Sequence, residues 1–188
     1  MVRSTKVEEL GVLERLAVSL SNATKNMTTG EGGMITTNSS EIAKACRLLR
    51  NHGESQKYFH TMLGYNYRMT ELQAAIGLVQ LKKLEGFTER RIRNAEYYNQ
   101  HIKISGLKLP YKKSGVKHVY HQYAVTIKDD FSISRDEFMQ YLKNKDIGCA
   151  IHYPLSIHEQ PLYQQLGYTD ENVQCPVATA LSLSLIHI

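Results

Sequence analysis

Paired cysteines, long apolar runs and blocks of a single charge are all missing from this chain of 188 residues. Cys46, Cys149 and Cys175 stand far apart with no CxxC pair, which excludes a disulfide framework and a zinc ribbon and points to a reducing, cytoplasmic setting. No apolar stretch approaches the roughly 20 residues a membrane span requires, and Glu8, Glu9 and Glu14 interrupt the segment where a signal peptide would be apolar. A membrane partner is therefore not expected. The 23 lysines and arginines are interspersed with 18 acidic residues, for a formal net charge of +5. The densest basic stretch, Lys108 to Lys117, lacks the aromatic interleaving of a nucleic-acid surface and reads as a solvated loop.

What is present is enough to bury a core: 42% apolar and 22% charged residues belong to a soluble globular protein. Leu16 to Leu20 reads as a strand, and MITT after Gly32 and Gly33 as another. Asn38 and Glu41 have capping-box spacing ahead of Ile42, Ala45, Cys46 and Leu49 on one helical face, with an end near Asn51 and Gly53 just beyond. Thr70 and Gln73 open a second helix in which Leu72, Ala75, Ile76 and Val79 keep a helical period. Gly77 in that helix lets another backbone come close, and Gly86 is expected to break it in two. The composition changes near Gly106, which suggests residues 1–104 and 105–188 as separate units. The second reads as a small α+β unit: alternation in YHQYAVTI, a helix opened by Ser134 and Glu137 with Phe138, Tyr141 and Leu142 inward, then a strand over IGCAI.

One lysine sits in an unusual setting, NATKNMTTGEGGMIT from Asn22 to Thr36. A lysine becomes a nucleophile only when part of its population is unprotonated, through burial or a neighbouring cation. In pyridoxal-phosphate chemistry the cofactor is the electron sink, and the protein places the lysine, cradles the phosphate and holds the ring. Lys25, at the end of a strand beside small hydroxyl residues, suits those demands. On the local pattern alone, a structural or surface lysine remains the alternative.

Four blocks taken together go further: ATKNMTTGEGG, RNHG at 50–53, GYNYRMTELQAAIGLVQLKKLE at 64–85 and HYPLSIHEQPLY at 152–163. In order and spacing they resemble the DegT/DnrJ/EryC1/StrS family of sugar aminotransferases. The resemblance implies an α/β chain of the pyridoxal-phosphate-dependent fold type I (aspartate-aminotransferase-like), here a partial large domain followed by a small C-terminal domain. It implies pyridoxal 5'-phosphate as cofactor, Lys25 as its covalent anchor and proton shuttle, and Ser21 as a candidate phosphate ligand. Asn66 and Arg68 of GYNYR would reach the partner subunit's cofactor phosphate and the amino-donor carboxylate; turn residue and surface arginine are the alternatives. His152 and His158 fall in the block that faces the sugar nucleotide, although a satisfied core or loop histidine is an equal reading of either. A zinc site joining them to His118 and His121 lacks a cysteine pair or HExxH motif, so no metal is expected. Relatives that remove a sugar hydroxyl instead of adding an amine carry histidine at the lysine's place, so Lys25 points to transamination. The implied activity moves an amino group from glutamate to a nucleotide-linked keto sugar, in amino-sugar biosynthesis, by a homodimer.

The chain also departs from the family pattern. Family members are about twice as long, and the N-terminal portion that would hold the phosphate turn, the ring-stacking aromatic and the aspartate facing the pyridine nitrogen has no counterpart here. The family's phosphate-binding serine stands five positions before the lysine, where this chain has Leu20 between Ser19 and Ser21. SLS in place of FSF is what a one-base slip of frame gives, and the final LSLIHI is what a sequencing-transposon end encodes, so Leu183 to Ile188 is expected to be adaptor-derived. The competing expectation is a catalytically inactive fragment acting at most as an interaction module. A basic nucleic-acid-binding domain is a remoter one.

Overall fold

A computed structural model describes residues 17–21, 24–169 and 172–187. It divides into two compact units: one runs through Arg93 and takes in Lys117–His121, and the other holds Asn94–Val116 and the residues from Gln122 onward. The division falls inside a helix, whereas the composition change had suggested a boundary after Ile104.

In the first unit, β1 (Ala17–Leu20) and β2 (Gly33–Thr36) pair antiparallel, with Ala17 opposite Thr36 and Leu20 opposite Gly33. Helix α1 (Ser40–Leu49) follows. Its cap is Ser39 rather than Asn38: the Ser39 hydroxyl accepts from the Ile42 amide at 3.3 Å, one residue later than the capping-box spacing suggested. The short strands β3 (Glu54–Gln56) and β4 (Phe59–His60) then form a hairpin. Its base is closed by two glycines. A Cβ on Gly53 would lie 1.8 Å from the Met62 carbonyl oxygen, and one on Gly64 would lie 2.0 Å from the Gly53 nitrogen. Gly53 also has φ +69°, a conformation that costs a residue bearing Cβ roughly 1–2 kcal/mol.

Helix α2 (Glu71–His101) is continuous through Gly86. One glycine costs a helix only about 1 kcal/mol relative to alanine, and a ladder of this length absorbs that. Thr70 and Gln73 cap it reciprocally, as the spacing implied: the Thr70 amide donates to Gln73 Oε1 at 3.0 Å, and the Gln73 amide donates to Thr70 Oγ1 at 3.3 Å. The helix turns Gln73, Gly77, Gln80, Leu84 and Thr88 inward, while Leu72, Ile76, Leu78, Val79 and Leu81 are all exposed. The period read from sequence is correct, but within this unit the apolar stripe faces away. Gly77 admits the methyl of Thr29, not a second backbone; a Cβ there would meet Thr29 Cγ2 at 3.0 Å.

The second unit is built on a three-stranded antiparallel sheet of order β5 (Leu107–Lys108), β6 (Ala124–Ile127), β7 (Leu185–His187). Both edges of β6 are thereby occupied. Residues 147–151 form no strand, and Ala150 makes only an isolated bridge to His187 on β7. Helix α3 (Arg135–Lys143) starts at Ser134 with a full capping box, in which the Ser134 amide donates to Glu137 at 2.8 Å. Phe138 and Leu142 are buried, but Tyr141 is 54% exposed. Phe138 and Leu142, four apart, lie on one stripe, and Tyr141 falls to its side, where Lys145 Nζ sits 6.0 Å from its ring centre. Short helices α4 (Pro161–Gln165) and α5 (Pro176–Ser184) complete the unit. Its apolar core gathers Tyr123, Val125, Phe138, Leu142 and Ile186, with Val125 and Ile186 fully enclosed. No helix among the described residues is long and apolar enough to cross a membrane.

Candidate active site

Lys25 lies in the wide loop that joins β1 to β2, and the neck of that loop is closed by backbone bonds. The Ser21 amide donates to the Gly32 carbonyl at 3.0 Å, and the Thr29 amide donates to the Ser21 carbonyl at 2.7 Å. Thr29 is buried, with its hydroxyl 2.8 Å from the Glu31 carbonyl oxygen. The Ser21 and Thr29 hydroxyls lie 2.7 Å apart and share one hydrogen bond. Gly32, at φ +148°, leaves the space for this arrangement: a Cβ would come 2.9 Å from Thr29 Oγ1 and 3.2 Å from Ser21 Oγ. Lys25 is thus half-buried in a loop whose neck holds a hydroxyl pair that only glycine at position 32 leaves room for, a residue set that fits an aldehyde carrying a phosphate.

The loop is also anchored from outside. Gln73, at the start of α2, donates from Nε2 to the Glu31 carbonyl at 3.0 Å. Asn26, beside the lysine, is 5% exposed; its Nδ2 donates to the Val119 carbonyl at 3.4 Å, and its Oδ1 lies 3.1 Å from His121 Nδ1. The 117–121 segment is tied in turn to α2 by an ion pair between Lys117 and Glu85.

Asn66 and Arg68 are held along the C-terminal end of α1. The Tyr65 amide donates to the Leu49 carbonyl, the Tyr67 amide donates to the Arg50 carbonyl, and Asn66 forms a bridge with Asn51. Arg68 donates through Nη1 to Asn51 Oδ1. Tyr65 and Tyr67 stack with ring centres 4.9 Å apart. Arg68 lines a cleft of about 1050 Å³ together with Arg47, Arg50, Tyr65 and residues of β2. Lys25 and Ser21 do not line it, so this chain does not bring its GYNYR segment and its lysine into one cavity.

The two histidines of the HYPLSIHEQPLY block belong to the second unit. His158 is buried, with Nδ1 2.9 Å from Ser156 Oγ and its carbonyl accepting from Gln164 at 2.8 Å. Ser156 and Glu159 form a reciprocal turn beside it. Hydrogen bonds from the Ser156 hydroxyl and amide hold the Glu159 carboxyl below its ordinary pKa. His152 is exposed, with its ring centre 5.1 Å from that of His187. Burial, and then the charge of His152, push the His187 imidazole below its ordinary pKa. His118 and His121 belong to the first unit, and among the described residues no cluster of three or more side chains suited to a metal occurs.

Sequence reasoning missed the partners of the lysine loop. Gln73 was legible as a cap but not as the group that also holds Glu31. Nothing local connects Asn26 to His121, which lies 95 residues away.

The hairpin leading through a lysine loop, the long helix beside it and the separate small unit together define a piece of the α/β fold type I of pyridoxal-phosphate-dependent transferases. S. venezuelae DesV, solved in complex with a ketimine intermediate, superposes with a TM-score of 0.83 at 30% identity, covering 92% of this chain and 45% of DesV. The chain belongs to the DegT/DnrJ/EryC1/StrS aminotransferase family, whose pattern matches residues 5–188. Among curated relatives it is 40% identical over 151 residues to the pleiotropic regulatory protein of Geobacillus stearothermophilus, covering 78% of this chain and 39% of that protein. It is 35% identical over 153 residues to the UDP-N-acetyl-3-dehydro-alpha-D-glucosamine 3-aminotransferase of Acidithiobacillus ferrooxidans, covering 81% of this chain and 39% of that enzyme. The chain thus spans about two fifths of the length of these relatives.

Proposed function

We propose that the protein is a pyridoxal 5'-phosphate-dependent aminotransferase that moves an amino group from glutamate to a nucleotide-linked keto sugar, with Lys25 as the covalent anchor of the cofactor. The observation that carries this reading is the construction of the lysine loop: the residue after Lys25 is buried and doubly bonded, and Ser21, Thr29 and Gly32 close the neck around a buried hydroxyl pair. A solvated lysine needs none of this. The sugar-nucleotide substrate rests on the similarity to the 3-aminotransferase. Bound at Lys25, the cofactor supplies an electron sink for breaking and making bonds at the carbon that carries nitrogen. Lys25 moves the proton at that carbon, Ser21 binds a phosphate oxygen, and exposed His152 meets substrate, with buried His158 supporting its segment. Asn66 and Arg68 serve the pocket of a second subunit: Arg68 lines a cleft that Lys25 does not, and the exposed row Leu72, Ile76 and Val79 on α2 supplies an apolar face for that subunit.

The test is covalent capture. Pyridoxal 5'-phosphate added to the chain, followed by borohydride reduction and peptide mapping, places the label on Lys25, and Lys25→Ala removes it with the far-ultraviolet spectrum unchanged. Label spread evenly over surface lysines sinks the reading. It would favour the alternative of a chain that holds no cofactor and acts at most as an interaction module.

A further inference from the structure

We infer that Asn26 and His121 form a positioning pair that sets the turn bearing Lys25, with the His121 hydrogen fixed on Nδ1; this rests on the reading of Lys25 given above. The Asn26 side chain is buried, so both ends of its amide must be satisfied inside the protein. The Val119 carbonyl accepts only, and it therefore takes the NH₂ end at 3.4 Å. That leaves Oδ1 facing His121 Nδ1 at 3.1 Å. An amide oxygen donates nothing, so the imidazole nitrogen supplies the hydrogen. One backbone carbonyl thus dictates the tautomer of a side chain two residues further on.

The intervening residue is built for this. Tyr120 has φ +42°, a left-handed conformation that is strained for a bulky residue and persists only where its surroundings enforce it. It turns the chain between the Val119 carbonyl and the His121 ring, the two groups that take Asn26. Its amide donates to His118 Nδ1 at 3.0 Å, so His118 accepts at the nitrogen from which His121 donates. The two histidines carry opposite tautomers. On the other side of the lysine, Ser21 is held by backbone bonds with Gly32 and Thr29 and by the Thr29 hydroxyl. Lys25 is thereby carried between two fixed points at positions 21 and 26, the kind of supporting shell that keeps a reacting group in place.

Two measurements on the whole chain test the pair. In ¹⁵N spectra of histidine-labelled protein near pH 8, above the ordinary imidazole range, the hydrogen is expected on Nδ1 of His121 and on Nε2 of His118; a hydrogen on Nε2 of His121 overturns the inference. In the borohydride capture assay, His121→Phe is expected to slow labelling of Lys25 about tenfold, roughly what one ordinary hydrogen bond is worth. His121→Asn, whose amide nitrogen falls near the place of Nδ1, is expected to restore most of the rate, and His121→Gln, whose nitrogen falls near Nε2, is not. The Asn and Gln variants decide the matter if the Phe variant fails to fold: equal rates for the two overturn the pair. Normal labelling in every His121 variant removes the positioning role and leaves the chemistry of Lys25 standing. Unselective labelling of the unaltered chain removes both.

Discussion

Alanine at Gly32 is the sharpest probe of the lysine loop, because its neighbour Gly30 provides an internal control. Both glycines have positive φ, +83° at Gly30 and +148° at Gly32, but a Cβ at Gly30 meets nothing within 4 Å. At Gly32 it comes 2.8 Å from Met69 Cε, 2.9 Å from Thr29 Oγ1 and 3.2 Å from Ser21 Oγ. Gly30→Ala therefore carries the backbone penalty alone, about 1–2 kcal/mol. Gly32→Ala carries a similar or larger penalty and must also displace the hydroxyl pair, adding about 1 kcal/mol for the disturbed hydrogen bond. The Met69 methyl, the far end of a flexible side chain, adds little. The expected losses are about 1–2 kcal/mol for Gly30→Ala and about 2–4 kcal/mol for Gly32→Ala. With a urea slope of about 2 kcal/mol per molar, the midpoints fall by about 0.5–1 M and about 1–2 M. Hydrogen exchange at the Thr29 amide, which donates to Ser21, should accelerate far more in Gly32→Ala than in Gly30→Ala. Equal effects of the two substitutions would refute the argument that the space at residue 32 exists to hold Ser21 against Thr29.

Other substitutions address the remaining elements. Ile186→Ala, at a fully enclosed position of β7, is expected to cost about 2–5 kcal/mol in urea unfolding, and a loss below 1 kcal/mol would show that the strand is dispensable to the second unit's core. The double change Leu72→Glu with Val79→Glu should convert a dimer to a monomer in sedimentation while leaving helix content intact, since each apolar side chain contributes about 1.5–3 kcal/mol when buried; an unchanged sedimentation coefficient disproves the proposed interface. Hydrogen bonds from Ser134 hold Glu137, and hydrogen bonds from Ser156 hold Glu159, below their ordinary pKa of 4.5. Because these folded-state values are depressed, the stability they confer is present above pH 4.5 and is lost as the pH falls through the lower folded values. Ser134→Ala combined with Ser156→Ala should flatten that acid dependence in a thermal-melt series, and an unaltered slope would assign the acid loss elsewhere.

Local chemistry made much of the fold legible. Both capping boxes, at Thr70 with Gln73 and at Ser134 with Glu137, are seen as the spacing implied, because a hydroxyl and a carboxyl or amide three residues apart need no tertiary help. Two expectations failed for different reasons: Gly86 did not break α2, because one glycine costs too little in so long a ladder, and the 147–151 segment did not become a strand but meets β7 only at Ala150. At the site, the lysine was legible from its hydroxyl- and glycine-rich surroundings and from the family pattern. Its anchoring through Val119 and His121 was not, because no periodicity links residues so far apart.

The two glycines that seal the base of the 54–63 hairpin separate what that loop can vary from what it cannot. Its tip at Lys57 and Tyr58 is exposed, while Gly53 and Gly64 touch backbone to backbone. New residues inserted at the tip would be absorbed there, leaving Asn66 and Arg68 in register with the end of α1. An engineer wishing to alter what this surface greets therefore has a place to graft, provided neither glycine is touched.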